Sequence, residues 1–255
     1  MGGSGPSGWA VLLLVLAAIV VLIAQLVLRR RKGPSPDVRP LEAFLTLRDE
    51  LAQAAESGSA IHVALGSGGL TGEDALASVA ALQVVDALVD NAVSYRVPFT
   101  ISVGEPTLLP LAQDALRRAF ERRGLAELYN PDWVRFIAPA PLPYAAGAAA
   151  LVAEPAVATN IVAGALGAEV SLITEAGIRR DLSQSAAVAS PAGAAALFPA
   201  TERLALGEEL FAAGAAMTGE PRYVAGLVTQ DVLRVVVIVA LVIGAVVAFV
   251  GTLGG

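Results

Sequence analysis

The sequence contains no cysteine, which excludes disulfides, thiolate metal sites, iron–sulfur ligation and cysteine nucleophiles. Its one histidine, His62, leaves no multi-histidine metal centre. A serine triad on that single histidine has no G-x-S-x-G elbow to accompany it. Lys32 is the only lysine and lies beside an apolar run, so the folded part holds neither a Walker-A lysine nor a Schiff-base lysine. The net charge is −6 and the arginines are scattered or paired, which leaves no basic stripe for nucleic acid. No catalytic residue, metal-ligand set or cofactor is expected.

What the chain has in excess is apolar residues: 56% of the 255 are hydrophobic, with a mean hydropathy of +0.68, more than an ordinary soluble domain carries. Two runs stand out. "WAVLLLVLAAIVVLIAQLVL" (Trp9–Leu28) has Gln25 as its one polar member, and "VVVIVALVIGAVVAFVGTL" (Val235–Leu253) is similar. Each is long enough to cross a hydrocarbon layer of about 30 Å. Arg29, Arg30, Arg31 and Lys32 follow the first run and Arg234 precedes the second, whereas "MGGSGPSG" and "GTLGG" carry no charged side chain. By the positive-inside rule the middle of the chain is cytoplasmic and both termini lie outside. A cleaved signal peptide would need its charge before the run.

The expected organisation is an extracytoplasmic tail (1–8), a first transmembrane helix (9–28), a basic flank and proline-rich linker (29–40), a cytoplasmic domain (41–230) and a second transmembrane helix (232–253). In the second span Ala240, Gly244 and Ala248 recur every four residues, a spacing that permits close helix contact. The lipid bilayer is thus the first expected partner and a membrane the expected location.

After the linker an amphipathic stretch, "LEAFLTLRDELAQAAESG", reads as a helix ended by Gly58. Apolar strands then alternate with helices. The strands are "IHVAL" (Ile61–Leu65), "FTISV" (Phe99–Val103), "VRFIA" (Val134–Ala138), "TNIVAGA" (Thr159–Ala165) and "SAAVAS" (Ser185–Ser190). None alternates in polarity, which fits burial on both faces. The expectation is an α/β domain with a doubly wound, mostly parallel, Rossmann-like sheet of about five strands.

In such a sheet ligands bind beyond the carboxyl ends of the strands. "GSGGLTGED" follows the first strand there, making Gly66, Ser67, Gly68, Gly69, Thr71 and Gly72 candidate ligand residues. It departs from the dinucleotide fingerprint: Thr71 stands where the third glycine belongs, and no acid ends a second strand about twenty positions later, Glu105 lying far beyond. Glu105, Asn160 and Glu169 complete the candidate set. The plainer explanations are a tight turn for the glycines, dipole-complementing acids at helix starts for Glu73, Asp74, Glu105 and Glu169, and local backbone bonding for Asn160. For His62 the plainer role is a hydrogen-bonded core residue. Acids at this edge oppose phosphate and suit a cationic or polar small ligand.

"YAAGAAAL" (Tyr144–Leu151) and "FAAGAAMT" (Phe211–Thr218) are nearly the same string, followed by Glu154–Pro155 and Glu220–Pro221. Such thin helices let another backbone approach closely, making Tyr144, Gly147, Phe211, Gly214 and Gly244 candidate helix-contact positions. A third "AGAAAL" at Ala192–Leu197 argues for alanine-rich drift over a true repeat.

The order of "YAAGA", "TNIVAGALGAEVSLITEAGIRRD", "GEELFAAGA" and "QDVLRVVVIVALVIG" resembles a family of uncharacterised bacterial membrane proteins carrying a domain of unknown function between their first and last membrane helices. The resemblance implies architecture and no mechanism. The leading expectation is a non-catalytic scaffold that assembles with copies of itself. Its motivation is "ALASVAALQVVDALV", a helix with little polar face, together with the small-residue helices; other membrane proteins are further expected partners. The alternative is a ligand-binding or sensory module at the strand-end crevice.

Overall fold

Runs of valine, isoleucine and alanine form six short strands in the computed structural model: β1 (Ala60–Gly66), β2 (Phe99–Val103), β3 (Val134–Phe136), β4 (Val157–Ala165), β5 (Ser183–Val188) and β6 (Arg203–Leu206). Between them run α1 (Leu47–Ser57), α2 (Ala75–Tyr95), α3 (Leu108–Arg122), α4 (Pro141–Val152), α5 (Val170–Ile178) and α6 (Pro191–Leu197). The structure describes residues 47–201, 203–207, 209–213 and 237. All but Val237 lie within one unit, Arg39–Thr218. Gly214, Gly244 and, apart from Val237, both apolar runs fall outside the described residues.

The strands form one sheet in the order β3-β2-β1-β4-β5-β6, every pair parallel. The sheet therefore has six strands, not about five, and no antiparallel member. β6, "RLAL", was missed because four residues flanked by charges give almost no pattern to read. The chain winds outward in one direction from β1 to β3, then returns to the centre and winds the other way from β4 to β6. β1 and β4, consecutive in space and not in sequence, mark the switch point.

Alternate side chains of each strand serve opposite faces. Ile61, Val63, Leu65, Ile101, Val103, Ile161 and Ala163 pack under α1, α2 and α3. Ala64, Val162, Ala186 and Val188 pack under α4, α5 and α6. α2 is long and apolar enough to cross a membrane by length and composition. Eleven of its residues, from Ala77 to Val93, are nevertheless buried in this domain. The helix that suggested a need for a neighbouring subunit finds its cover on the sheet, α1 and α3.

Gly164 permits this close seating. It has φ +133°, and an added Cβ would strike Leu65 O and come within 3.1 Å of Ala81 Cβ on α2. At the other end of the sheet Glu50 of α1, 8% exposed, forms an ion pair with Arg203 of β6. It joins the first described helix to the last strand. Glu50→Gln is expected to lower the urea-unfolding free energy by about 1 kcal/mol, because it removes the charge of the buried partner of a pair whose arginine is a third exposed. Replacing both residues by leucine and methionine should recover most of that loss. Equal stability of Glu50→Gln and the parent would show that the pair holds nothing.

Candidate functional site

Each central strand carries a polar residue on the face under α4 and α5. In the sheet register His62 lies opposite Thr100 on one side and Asn160 on the other, and Asn160 lies opposite Gln184. His62, Asn160 and Ser102 are fully buried and Gln184 nearly so. They form one hydrogen-bonded chain: Tyr144 Oη to Ser102 Oγ 3.0 Å, Ser102 Oγ to His62 Nε2 3.0 Å, His62 Nδ1 to Asn160 Oδ1 2.9 Å, and Asn160 Nδ2 to Gln184 Oε1 3.0 Å. Gln184 Nε2 ends the chain on Thr174 O at 3.2 Å.

The terminal carbonyl sets every orientation. Thr174 O can only accept, so Gln184 turns its NH2 to it and its oxygen to Asn160. Asn160 must then donate to Gln184 and accept from His62. The proton of His62 is consequently on Nδ1, and Nε2 accepts from the Ser102 hydroxyl. Tyr144 donates to Ser102, where Oγ at 3.0 Å and the backbone O at 3.2 Å share its one proton, and accepts from the Gly66 N–H at 3.0 Å. The chain thus starts beneath the loop that follows β1. Burial lowers the His62 pKa to about 4 against the raising effect of the Asn160 hydrogen bond. Burial likewise pushes the Tyr144 phenol up to about 12. Both side chains are neutral at pH 7.

Ser102, His62 and Asn160 are hydrogen-bonded in the order of a nucleophile, base and orienting amide. The arrangement is closed to chemistry in this conformation. All three are fully buried, and Ser102 sits within β2, whose neighbouring strands hold its backbone. His62 acts here as the hydrogen-bonded core residue that its place in β1 suggested. Asn160 is committed to His62 and Gln184 and does not reach the strand-end edge.

The other candidates gather at that edge, with different neighbours. Gly66, at φ +84°, and Gly68 are needed by packing within the domain: a Cβ on either would strike Ala165 of β4, its carbonyl oxygen for Gly66 and its Cβ for Gly68. Gly69 is open except toward Glu105, whose Cγ would lie 3.4 Å and Oε2 3.8 Å from an added Cβ. Thr71 and Gly72 are exposed. The N–H groups of Gly68, Gly69, Leu70 and Thr71 make no hydrogen bond among the described residues. Glu105 Oε1 accepts from Thr107 Oγ1 at 3.2 Å. Glu169 Oε1 accepts from the Gly167 N–H at 2.7 Å. No group of three or more metal-ligating side chains exists among the described residues.

Of the candidate helix contacts, the described ones, Tyr144, Gly147 and Phe211, have neighbours within the same chain. Gly147 receives Ile137 from the segment after β3, whose Cγ2 occupies the space a Cβ would need. Tyr144 is the fully buried head of the polar chain, and Phe211 packs against the core under α2. The turn at Glu154–Pro155 is held by Arg180, which donates to Val152 O at 2.9 Å, Glu154 O at 2.6 Å, Val157 O at 3.0 Å and Pro155 O at 3.1 Å. Ser102, Gln184, Thr174 and Arg180 were not singled out from the sequence. The available signal was at least one polar residue inside each of four mostly apolar strands.

The linkage of His62 to folding has a definite sign. Unfolded, it titrates near 6.5; folded, near 4. Between these values the unfolded chain binds more protons, so stability is full above pH 6.5 and falls as pH drops toward 4. The loss approaches about 3 kcal/mol. Asp90, whose partial burial is outweighed by Arg123 and Arg122, and Asp114, held by Arg117, titrate below the ordinary carboxylate value and outside this window. Urea midpoints measured from pH 7 to 4 should fall in the parent and fall much less in His62→Gln. Identical slopes in the two would contradict a neutral, sealed His62.

No curated protein and no solved structure matches the chain. One family model does, and its span takes in the polar chain, the switch-point loop and all six strands. The chain belongs to the family described as a domain of unknown function (DUF6754), whose model matches residues 7–254.

Proposed function

We propose that the domain is a non-catalytic binding module for a small polar ligand, seated at the carboxyl edge of the sheet among the loops that follow β1, β2 and β4. The observation that carries this reading is the reversal of strand order between β1 and β4. It sets the "GSGGLTG" loop beside Glu105, with four successive N–H groups unengaged among the described residues. Open parallel sheets bind ligands at that place. The only nucleophile–histidine alignment among the described residues lies sealed below it, which supports binding over chemistry. The apolar runs at 9–28 and 235–253, with the basic residues 29–32, support a membrane-anchored sensory arrangement facing the cytoplasm.

Self-assembly into a scaffold keeps a separate support. Leu76, Leu142 and Phe198 are 72%, 63% and 79% exposed, apolar surface that a neighbouring copy would cover on assembly. Of the motivations drawn from the sequence, α2 and the small-residue helix at Gly147 find cover inside the domain, while Gly214 and Gly244 lie outside the described residues.

Gly69→Val is the discriminating variant, since Gly68 is bound to its own packing and a side chain there would disrupt the loop. In a thermal-shift screen of nucleosides and small metabolites, a ligand at a hundredfold excess over its Kd should raise Tm by about 5 °C or more. Gly69→Val should keep the unliganded Tm and lose the shift. A screen in which no compound moves Tm would count against the binding reading and leave assembly, tested by particle mass in mild detergent, as the better account.

A further inference from the structure

We infer that the ligand of this edge is a ribonucleoside, held by Glu105 through the vicinal hydroxyls of its ribose. The inference rests on the reading of the carboxyl edge as a ligand site and names what that site takes. Glu105 stands two residues beyond the end of β2, the strand beside β1 on the side away from the switch point. In doubly wound sheets an acid at that position bonds a ribose hydroxyl. Sequence spacing hid it: α2 takes up 21 residues between the glycine loop and β2, so the acid falls 33 positions after Gly72, whereas the fold returns it to the loop. Its Oε2 lies 3.8 Å from where a Gly69 Cβ would be. A carboxylate with Oε1 turned to Thr107 and Oε2 toward the loop can take two adjacent hydroxyls, one on each oxygen.

Two independent features mark the loop as built to receive something. Ser78, in the first turns of α2, is fully buried, and its hydroxyl has no hydrogen-bond partner among the described residues. That oxygen would be 3.2 Å from a Cβ on Gly68, directly against the loop. Buried hydroxyls are rarely left unpaired. The N–H groups of Gly68 to Thr71 offer further donors to ligand oxygens.

The charge of the edge narrows the class. Glu73, Asp74, Glu105 and Glu169 lie in its loops, and residues 67–74, 104–107 and 166–169 include no lysine, arginine or histidine. A doubly charged phosphate would meet like charge at close range. A neutral nucleoside, or one carrying a positive group as in S-adenosylmethionine, fits the field.

The test is calorimetric titration of the purified 255-residue chain with adenosine, guanosine, cytidine, uridine, S-adenosylmethionine and AMP. At least one ribonucleoside or S-adenosylmethionine should bind. The 2′-deoxy form of the preferred nucleoside should bind at least tenfold more weakly. The 5′-phosphate should weaken binding. Glu105→Gln should lose at least tenfold in affinity at unchanged Tm, whereas Thr107→Ala, which removes only the internal partner of Glu105, should retain binding. Equal affinity for ribose and deoxyribose forms, or full binding by Glu105→Gln, would overturn the inference. If a broader screen yields a ligand without a ribose while these compounds fail, the inference falls and the binding site stands. If nothing binds, both fall.

Discussion

A polar group inside a parallel sheet covered on both faces must be paired within the protein, because water does not reach it and its desolvation is otherwise uncompensated. Four central strands each place such a group under α4 and α5, and the positions of both helices follow from satisfying them. Tyr144 has to bring its hydroxyl to Ser102 and Gly66, which fixes the rotation of α4. Thr174 has to present its carbonyl to Gln184, and Gly177 has to lack a side chain, since a Cβ there would collide with the Gln184 amide. Arg180 then closes the junction by holding the turn after α4. The opposite face is mostly apolar, with the small hydroxyls of Thr159 and Ser185 among its buried residues, and no comparable hydrogen-bonded row of side chains forms there among the described residues.

This division separates the residues that could perform chemistry from the surface that could meet a ligand. The histidine, the serine and the amides are engaged with one another below the sheet surface. The loops at the carboxyl edge hold backbone N–H groups, acids and glycines. Tyr144 is the single side chain touching both regions, since its hydroxyl accepts from Gly66 at the start of the loop and bonds Ser102 at the head of the chain. A displacement of that loop would therefore be felt first by the polar chain.

The α/β class, five of six strands and the switch-point position of the glycine loop were legible in the sequence, because runs such as "FTISV" and "IHVAL" bounded by glycine and proline have few other foldings. β6 was not, being four residues long. The glycine loop could be located but not interpreted: only coordinates reveal that Gly66 and Gly68 serve β4 while Gly69 faces Glu105. Glu105 lies far from the glycine loop in sequence and beside Gly69 in the fold, because a long helix returns the chain to nearly where it began. Asn160 looked like an edge residue because it opens "NIVAGA", yet β4 extends further back to Val157 and buries it in mid-strand.

The single direction of the polar chain has a consequence for how strands find their partners. A sheet of valine, alanine and isoleucine specifies faces well and alignment poorly: sliding one strand by a single residue exposes its core set, but sliding it by two restores the same face with similar apolar volume. Such a two-residue slip of β4 against β1 would set Val162 or Ala158 against His62 and part the imidazole Nδ1 from the Asn160 Oδ1 that pairs it. The hydrogen-bonded row thus discriminates between alignments that hydrophobic burial alone would leave nearly equal in energy.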